Sequence, residues 1–222
     1  MMKFQRIIFS CLFGLLVIGN ANAQSARQTK QQVVRIETVY GNIVVSLYNS
    51  TPGHRDNFIR LAKARYFDTL SFNRIIKNFV VQGGDPDSIY RHREMLNKDQ
   101  HWIKAELHDS LYHKKGALGM GRDENAKKSS FSTQFYVVTG RIWTDEELDA
   151  VEKKLVNGRK LSEAQRAFYK ATGGLPYLDG NYTVFGEVQS GMDVLEQLSN
   201  LPGDKEGTPH EKVPMKVRVS VK

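Results

Sequence analysis

The chain contains many short segments whose residue patterns predict β-strands. Residues 33–48 alternate apolar and polar side chains around Gly41-Asn42, which is typical of a β-hairpin. Strands are also predicted in GALGMGR (116–122), STQFYVVTG (132–140), YTVFGEV (182–188) and VPMKVRVSVK (213–222). Because many short strands occur with two well-separated helices, the sequence predicts a mainly β fold, a closed antiparallel β-barrel.

Two helices are predicted between these strands. The first begins at Thr51-Pro52, an N-cap followed by a first-turn proline, and carries Phe58, Leu61 and Ala62 at helical spacing. The second is the segment GMDVLEQL, beginning near Met192. The apolar spacing of the first helix predicts one buried face.

Residues 141–174 predict a helical hairpin inserted between two strands of the barrel. Capping boxes at 144–147 and 162–165 each open a helix, and Asn157-Gly158 ends the first one. We expect the second helix to present Ala164, Ala167, Phe168 and Ala171 on one face. The predicted packing residues on the barrel are Val151, Leu155 and Phe168. The insert is either a structural clip or an element that binds a partner or gates substrate.

The N-terminal residues 1–23 are typical of a secretory signal peptide. Lys3 and Arg6 precede an apolar run, and Ala21-Asn22-Ala23 provides the small-residue cleavage pattern. The run is shorter than the roughly 18 residues of a membrane-spanning helix. We therefore predict an exported, periplasmic protein with one domain at 24–222. Cys11, the single cysteine, lies inside the run, so lipid attachment at this position is not expected.

Charge and motifs exclude several classes of function. The net charge of +8 falls by two when the predicted signal peptide is removed, and basic and acidic residues are interspersed without a nucleic-acid module. His108 and His113 form no ligand set that predicts a metal site, and residues 85–87 lack the rest of a calcium loop. Ser130 and Ser132 have no evident partners for a catalytic triad. We expect neither cofactor nor metal.

The stretch FNRIIKNFVVQGGDP, residues 72–86, places an arginine inside an apolar strand pattern. A strand, a turn at Lys77-Asn78, a second strand and a stop at Gly83-Gly84 are predicted, with Arg74 at a strand end. Arg74 is either a surface cation flanking the barrel or a guanidinium held at the wall of an apolar groove. The local pattern leaves both interpretations open.

Four segments taken together resemble the cyclophilin family of peptidyl-prolyl isomerases. They are FNRIIKNFVVQGGD, GALGMGR, STQFYVV and LPYLDGNYTVFGEV, and the resemblance runs from about Val34 to Val219. It implies an eight-stranded antiparallel barrel capped by two helices, with the helical insert at about 141–174 as its main interruption.

The resemblance also implies roles for individual residues. Arg74 would be the catalytic arginine, Phe79 a wall of the proline pocket, and Gln82 the side chain that positions the substrate backbone. The remaining groove residues implied are Val80, Gly121, Gln134, Tyr136, Leu178 and Tyr182. Gly121 falls where family members pair their backbone with the peptide. Departures from the family occur at Asn73, Tyr177 and Tyr182, and Tyr177 in place of tryptophan argues against strong cyclosporin binding.

These residue types suit rotation about an X-Pro bond. The twisted transition state loses amide resonance, so its nitrogen gains a lone pair that a fixed guanidinium can bind. We therefore predict a prolyl isomerase acting on proline-containing segments of unfolded or partly folded exported proteins, as a monomer. One alternative is a non-catalytic peptide-binding or chaperone module; another is a structural subunit that docks through the helical insert.

Overall fold

The computed structural model describes residues 31–86, 102–155 and 158–220, and its main element is one nine-stranded sheet. The predicted signal peptide, Cys11 and the segment 87–101 lie outside the described residues. The strands are β1 Gln32–Thr38, β2 Gly41–Leu47, β3 Ser71–Ile76, β4 Val80–Gly83, β5 Trp102–Ile103, β6 Ala117–Met120, β7 Ser130–Phe131, β8 Phe135–Val138, β9 Val184–Ser190, β10 Val213–Pro214 and β11 Lys216–Ser220. Within the described ranges, no helix is long and apolar enough to cross a membrane.

The main sheet is antiparallel and nearly closes on itself. Its order is β10-β3-β4-β8-β6-β9-β2-β1-β11, while β5 and β7 form a separate pair. The two edge strands, β10 and β11, are separated in the chain by Met215 alone. The predicted mainly β barrel is confirmed. It has one strand more than predicted, because the short β10 adds an edge beside β3.

Two helices cover the barrel. Helix α1 spans Pro52–Lys63, and its predicted apolar residues are buried. The helix beginning at Met192, α4, spans Met192–Ser199 and buries Val194, Leu195 and Leu198. Phe58 of α1 lies at the centre of an aromatic cluster, with ring-centroid distances of 5.1 to 5.4 Å to Phe67, Phe135 and Phe185. This cluster fixes α1 on the barrel.

Two local predictions on the barrel were wrong. The first hairpin turns at residues 39–40, because Thr38 pairs with Gly41 and its side chain accepts a hydrogen bond from the Tyr40 amide. Gly41 instead opens β2 with a φ of 130°, a conformation that favours glycine. Arg74 lies inside β3 rather than at its end. A shift in strand pairing between Phe72 and Arg74 changes the direction of the strand at that point.

The insert forms two helices, α2 at Asp145–Glu152 and α3 at Glu163–Ala171, and both capping boxes are present. The first helix ends at Glu152; its predicted stop at Asn157-Gly158 lies partly outside the described residues. The predicted face of α3 was wrong. Its three alanines are exposed and Phe168 is half-buried, whereas Gln165 and Tyr169 are buried.

The insert has a small core of its own. It contains the buried side chains of Trp143, Leu148, Leu155, Leu161 and Tyr169, with Tyr112 and Val151 packed against them. Of the packing residues predicted from the sequence, Leu155 is buried and Val151 is half-buried. Tyr169 replaces the alanine stripe as the inward residue of α3, because its large ring and its hydroxyl both find partners inside the protein.

Candidate functional site

A groove of about 590 Å³ lies on the face of the barrel where β3, β4 and β8 adjoin the loops after β6 and before β9. Every site residue predicted from the sequence lines it: Arg74, Phe79, Val80, Gln82, Gly121, Gln134, Tyr136, Leu178 and Tyr182. Sequence reasoning did not assign five further lining residues: Asn73, Pro86, Arg122, Glu206 and Thr208. Glu206 and Thr208 belong to the loop after α4, and no local motif connects them with the groove.

Arg74 is presented to the groove by the irregular pairing of β3 with β4. Phe72 pairs with Gly83 and Arg74 pairs with Gln82, so Asn73 is the additional residue. The side-chain amide of Asn73 donates a 2.8 Å hydrogen bond to the backbone carbonyl of Gly84, and this bond holds the irregularity in place. Arg74 as a whole residue is half-buried, and its guanidinium lies 5.4 Å from the centre of the Phe79 ring. Its Nε donates a long, solvent-exposed hydrogen bond of 3.4 Å to the Glu206 carbonyl.

The wall beside Arg74 is apolar. Val80 and Tyr136 are 2% and 4% exposed, and Phe79, Leu178 and Tyr182 pack against the same cluster. Phe79 lies in the turn after β3, where Asn78 adopts a left-handed φ of 61°. The pocket can therefore enclose a small apolar ring within reach of a cation, an arrangement that strengthens electrostatic contacts by excluding water.

Two glutamines add polar groups to this wall. Gln82 is half-buried and lies between Arg74 on β3 and Tyr136 on β8. Gln134 is 3% exposed, and its amide donates to the Asp85 carbonyl at 3.1 Å. These side chains can bind the polar backbone of a peptide while its apolar side chain enters the pocket.

Gly121 creates the space that Gln134 occupies. A Cβ atom at Gly121 would lie 2.0 Å from the Gln134 side-chain oxygen, so a larger residue would displace this amide. The backbone N–H of Gly121 donates to the carbonyl of Gln134 at 2.9 Å, and its carbonyl accepts from the Phe131 amide at 2.7 Å. The implied pairing of the Gly121 backbone with a peptide therefore has to use the second lone pair of its carbonyl, because the N–H is committed inside the protein.

Arg122 is a second cation at the groove, and it is fixed differently from Arg74. Its guanidinium donates to the carbonyl and the side-chain oxygen of Asn181 at 2.8 and 2.6 Å. It also lies 4.9 Å from the centre of the Tyr182 ring. Arg122 thus holds the loop that carries Tyr182 while adding positive charge to the groove.

Behind the groove, four buried side chains form a hydrogen-bonded series. Tyr136 contacts His113 at 2.9 Å, His113 contacts Asp179 at 2.8 Å, and Asp179 accepts from the Tyr169 hydroxyl at 2.7 Å. Burial raises the pKa of both tyrosines, so both hydroxyls stay protonated. Both ring nitrogens of His113 have hydrogen-bond partners inside the protein. His108, the other histidine compared with it in the sequence, is exposed.

A second buried series lies away from the groove, at the start of α1. His54 contacts the Glu106 carboxylate at 2.7 Å and the Ser130 hydroxyl at 3.0 Å. The expectation that Ser130 lacks triad-like partners was wrong. The Ser130 side chain is nevertheless fully buried, so this series cannot act on a substrate from solvent. Among the residues with described positions, no group of three or more His, Cys, Asp or Glu side chains could hold a metal ion.

Comparison with known proteins assigns the family. Residues 33–219 match the family described as cyclophilin type peptidyl-prolyl cis-trans isomerase/CLD. The chain is 30% identical to peptidyl-prolyl cis-trans isomerase-like 1 of Neurospora crassa over 182 residues, 81% of this chain and 88% of that protein. It is 32% identical to peptidyl-prolyl cis-trans isomerase-like 2 of Rhizopus delemar over 84% of this chain, but spans only 28% of that longer protein.

A solved structure shares the fold. The cyclophilin type peptidyl-prolyl cis-trans isomerase of Cryptosporidium parvum, determined in the presence of the dipeptide Ala-Pro, has a TM-score of 0.61 and 23% identity. The match covers 86% of this chain and all of the other. The family match, which extends over nearly all of the described sheet, shows that the chain belongs to the cyclophilin-type peptidyl-prolyl cis-trans isomerases.

Proposed function

We propose that the protein is a peptidyl-prolyl cis-trans isomerase that accelerates rotation of X-Pro bonds in exported proteins as they fold. The observation that carries the proposal is the placement of the Arg74 guanidinium beside the apolar pocket formed by Phe79, Val80, Tyr136 and Leu178. A pocket for a proline ring and a cation next to it are the two elements that this reaction requires.

The physical task is to lower a rotational barrier of about 18 to 20 kcal/mol. In the twisted transition state the proline nitrogen loses its resonance with the carbonyl and gains a lone pair. A guanidinium donor near that nitrogen binds the twisted form more strongly than either planar form, which is the condition for catalysis. Arg74 suits this role because arginine remains protonated and cannot donate its proton to the substrate.

The other groove residues would hold the two sides of the rotating bond. The proline ring would enter between Phe79, Val80, Tyr136 and Leu178, with Tyr182 closing the pocket. Gln82 would bind a neighbouring carbonyl, so that rotation occurs on one side of the bond only, and Gln134 with Gly121 would border the path of the peptide. The dipeptide named for the Cryptosporidium parvum relative supports a proline-containing ligand for this groove.

Export is the second part of the proposal. It rests on the basic start, the apolar run and the small residues before Gln24. Expression in a Gram-negative host followed by cell fractionation and N-terminal sequencing tests it: a periplasmic product beginning at Gln24 is expected, and an uncleaved cytoplasmic product would contradict export.

Isomerisation of a proline-containing tetrapeptide by the purified protein tests the activity. Replacing Arg74 with alanine should lower kcat/KM about ten- to 150-fold, which corresponds to the roughly 1.5 to 3 kcal/mol of a charged hydrogen bond. Arg122→Ala is the matched control, since it removes a groove cation that is already bonded to Asn181. Its loss should be smaller than that of Arg74→Ala.

The outcomes separate the proposal from the binding-module alternative. Equal losses for the two variants would mean that Arg74 contributes only general positive charge. An inactive wild-type protein with an intact fold, as judged by circular dichroism, would favour non-catalytic peptide binding.

A further inference from the structure

A continuous buried series of hydrogen bonds connects the helical insert with the groove. It starts at Tyr169 on α3, passes through Asp179 and His113, and ends at Tyr136 on the groove wall. The four residues are between 0% and 4% exposed. We call this series the Tyr169–Tyr136 relay. The cyclophilin-type barrel supplies three of its members and the insert supplies the first.

The chemistry of the members fixes the direction of each hydrogen bond. Asp179 accepts from the Tyr169 hydroxyl with one oxygen, and from the His113 backbone N–H at 2.8 Å with the other. Because His113 Nδ1 faces the same carboxylate oxygen, this nitrogen carries the ring hydrogen. Nε2 then accepts from Tyr136, whose hydroxyl stays protonated because burial raises its pKa.

The relay sets the position of the Tyr136 ring. The phenol hydroxyl points into the protein towards His113, so the groove receives the apolar ring. The His113 and Tyr136 rings stack with an interplanar angle of 18° and a centroid distance of 6.1 Å. Gly119 leaves room for this placement, since a Cβ there would lie 2.4 Å from the tyrosine ring.

The insert holds Tyr169, at the other end of the relay, in a fixed position through hydrogen bonds and close packing. Trp143 donates its backbone N–H to the Tyr169 carbonyl, and its indole N–H to Gly174 at 2.9 Å. A Cβ at Gly174 would lie 2.6 Å from the Tyr169 ring and 2.3 Å from the His113 carbonyl. The end of the insert is therefore packed directly against the middle of the relay, and a shift of α3 would displace Asp179 and His113 with it.

We propose that Tyr169 is a positioning residue for the isomerase pocket, and that the helical insert acts on the groove through it. Tyr169 orients Asp179, Asp179 selects the ring hydrogen and orientation of His113, and His113 holds the Tyr136 ring where the proline is to bind. The inference rests on the proposed function, because it assigns the Tyr136 ring to the proline pocket.

The test removes one hydroxyl from the full-length protein. Tyr169→Phe keeps the buried ring but leaves an Asp179 oxygen without its donor. Tyr112→Phe is the matched control, since Tyr112 packs 5.7 Å from Tyr169 in the same insert core and lies outside the relay. With a proline tetrapeptide, we expect Tyr169→Phe to lower kcat/KM about three- to tenfold, mainly by raising KM. This is less than the full contribution of a hydrogen bond to a carboxylate, because only part of its loss reaches the Tyr136 ring. Tyr112→Phe should stay within twofold of the wild type.

A double-mutant cycle distinguishes positioning from general destabilisation. Tyr136→Phe removes the last hydroxyl of the relay, so the kinetic effect of Tyr169→Phe should disappear in that background. Its effect on the melting temperature should persist, because Asp179 still loses a donor. An unchanged kinetic effect in both backgrounds, or equal kinetics for Tyr169→Phe and Tyr112→Phe, would overturn the inference.

Two measurements keep the relay testable when catalysis is absent. Long-range ¹H–¹⁵N NMR of the wild-type protein should show His113 with its hydrogen on Nδ1, and a hydrogen on Nε2 alone would overturn the relay. An inactive wild type would refute the proposed function, and calorimetric binding of the same tetrapeptide would then replace kinetics. Weaker binding by Tyr169→Phe than by Tyr112→Phe would support positioning, and equal binding would refute it.

Discussion

Two regions of the molecule contain the same arrangement of a buried histidine between a carboxylate and a hydroxyl. At the start of α1, His54 contacts Glu106 at 2.7 Å and Ser130 at 3.0 Å. Behind the groove, His113 contacts Asp179 at 2.8 Å and Tyr136 at 2.9 Å. Both histidines are completely buried. The arrangement alone therefore does not identify a functional site.

The difference lies in what each arrangement holds. Glu106 also accepts hydrogen bonds from the backbone N–H groups of Gly53 and His54, at 2.9 and 3.0 Å. It therefore caps the N-terminus of α1, because the side chain of the N-cap residue Thr51 makes no capping hydrogen bond. The His54 series thereby fixes the helix to the segment before β6. The His113 series ends at Tyr136, whose ring lines the groove. The comparison teaches that the final partner, rather than the histidine and carboxylate, determines whether such a series stabilises a helix or shapes a site.

Replacing the two carboxylates should separate the two series most strongly. Asp179→Asn should lower the free energy of unfolding by about 3 kcal/mol. Both oxygens of the carboxylate now accept hydrogen bonds, so the NH2 group of the asparagine amide would face a hydrogen-bond donor. Water cannot compensate, because the side chain is inaccessible to it. It should also lower kcat/KM. Glu106→Gln should cost about 1 kcal/mol, because its side chain is 20% exposed and water can compensate.

Urea denaturation and tetrapeptide kinetics on both variants provide the measurements. Glu106→Gln should retain the wild-type kcat/KM, since the capped end of α1 is not part of the groove. A similar kinetic loss in the two variants would remove the distinction between a helix-stabilising series and a site-shaping series.

The His54 series should also make stability depend on pH. Burial lowers the pKa of His54 from its ordinary value of 6.5, although the neighbouring Glu106 carboxylate favours the charged ring. Below about pH 6.5 the unfolded chain then binds a proton that the native protein does not, so the free energy of unfolding falls as the pH falls. The slope should approach about 1.4 kcal/mol per pH unit for this one proton, until the native ring is itself protonated.

Denaturation curves between pH 7 and pH 5 test this dependence, with His54→Asn as the comparison. Asparagine can still donate to Glu106 but does not titrate, so the variant should show a shallower slope over this interval. Equal slopes for the two proteins would assign the dependence to other groups. The lowered pKa of Glu106 adds a further loss only as the pH falls below its ordinary value of 4.5.

The sequence predicts the barrel well because its signals are local. Alternating strands, the proline at the start of α1 and the two capping boxes of the insert each depend on residues within one turn or one strand. The first turn was misplaced because the Thr38 side chain, rather than Gly41-Asn42, organises it. A threonine in this role has no distinctive local pattern.

The groove residues could be placed because they lie within motifs that resemble a family, and all of them meet at one groove. Both histidine series were missed because their members are far apart in the chain: 52 and 76 residues for His54, 66 and 23 for His113. The inward face of α3 was missed for a different reason: a hydrogen bond between side chains does not appear in the apolar spacing of a helix. Tyr169 is turned inward by a hydrogen bond to Asp179, which follows the helix, whereas helical periodicity registers only the apolar alanines.

The smallest expected effect concerns the two hydroxyls that end the series. Ser130→Ala removes the partner of His54 Nε2 and should lower the free energy of unfolding by about 1 kcal/mol, the contribution of one buried neutral hydrogen bond. It should leave tetrapeptide isomerisation unchanged, because Ser130 supports the junction of β7 with α1 and does not line the groove.

Tyr136→Phe also removes one hydroxyl from a histidine Nε2, so its stability loss should be similar, but its KM should rise. Chemical denaturation and kinetics on this pair compare equal chemical changes at two places. A kinetic change in Ser130→Ala as large as that in Tyr136→Phe would show that the α1 series also reaches the groove, and the two regions would then have to be treated as one network.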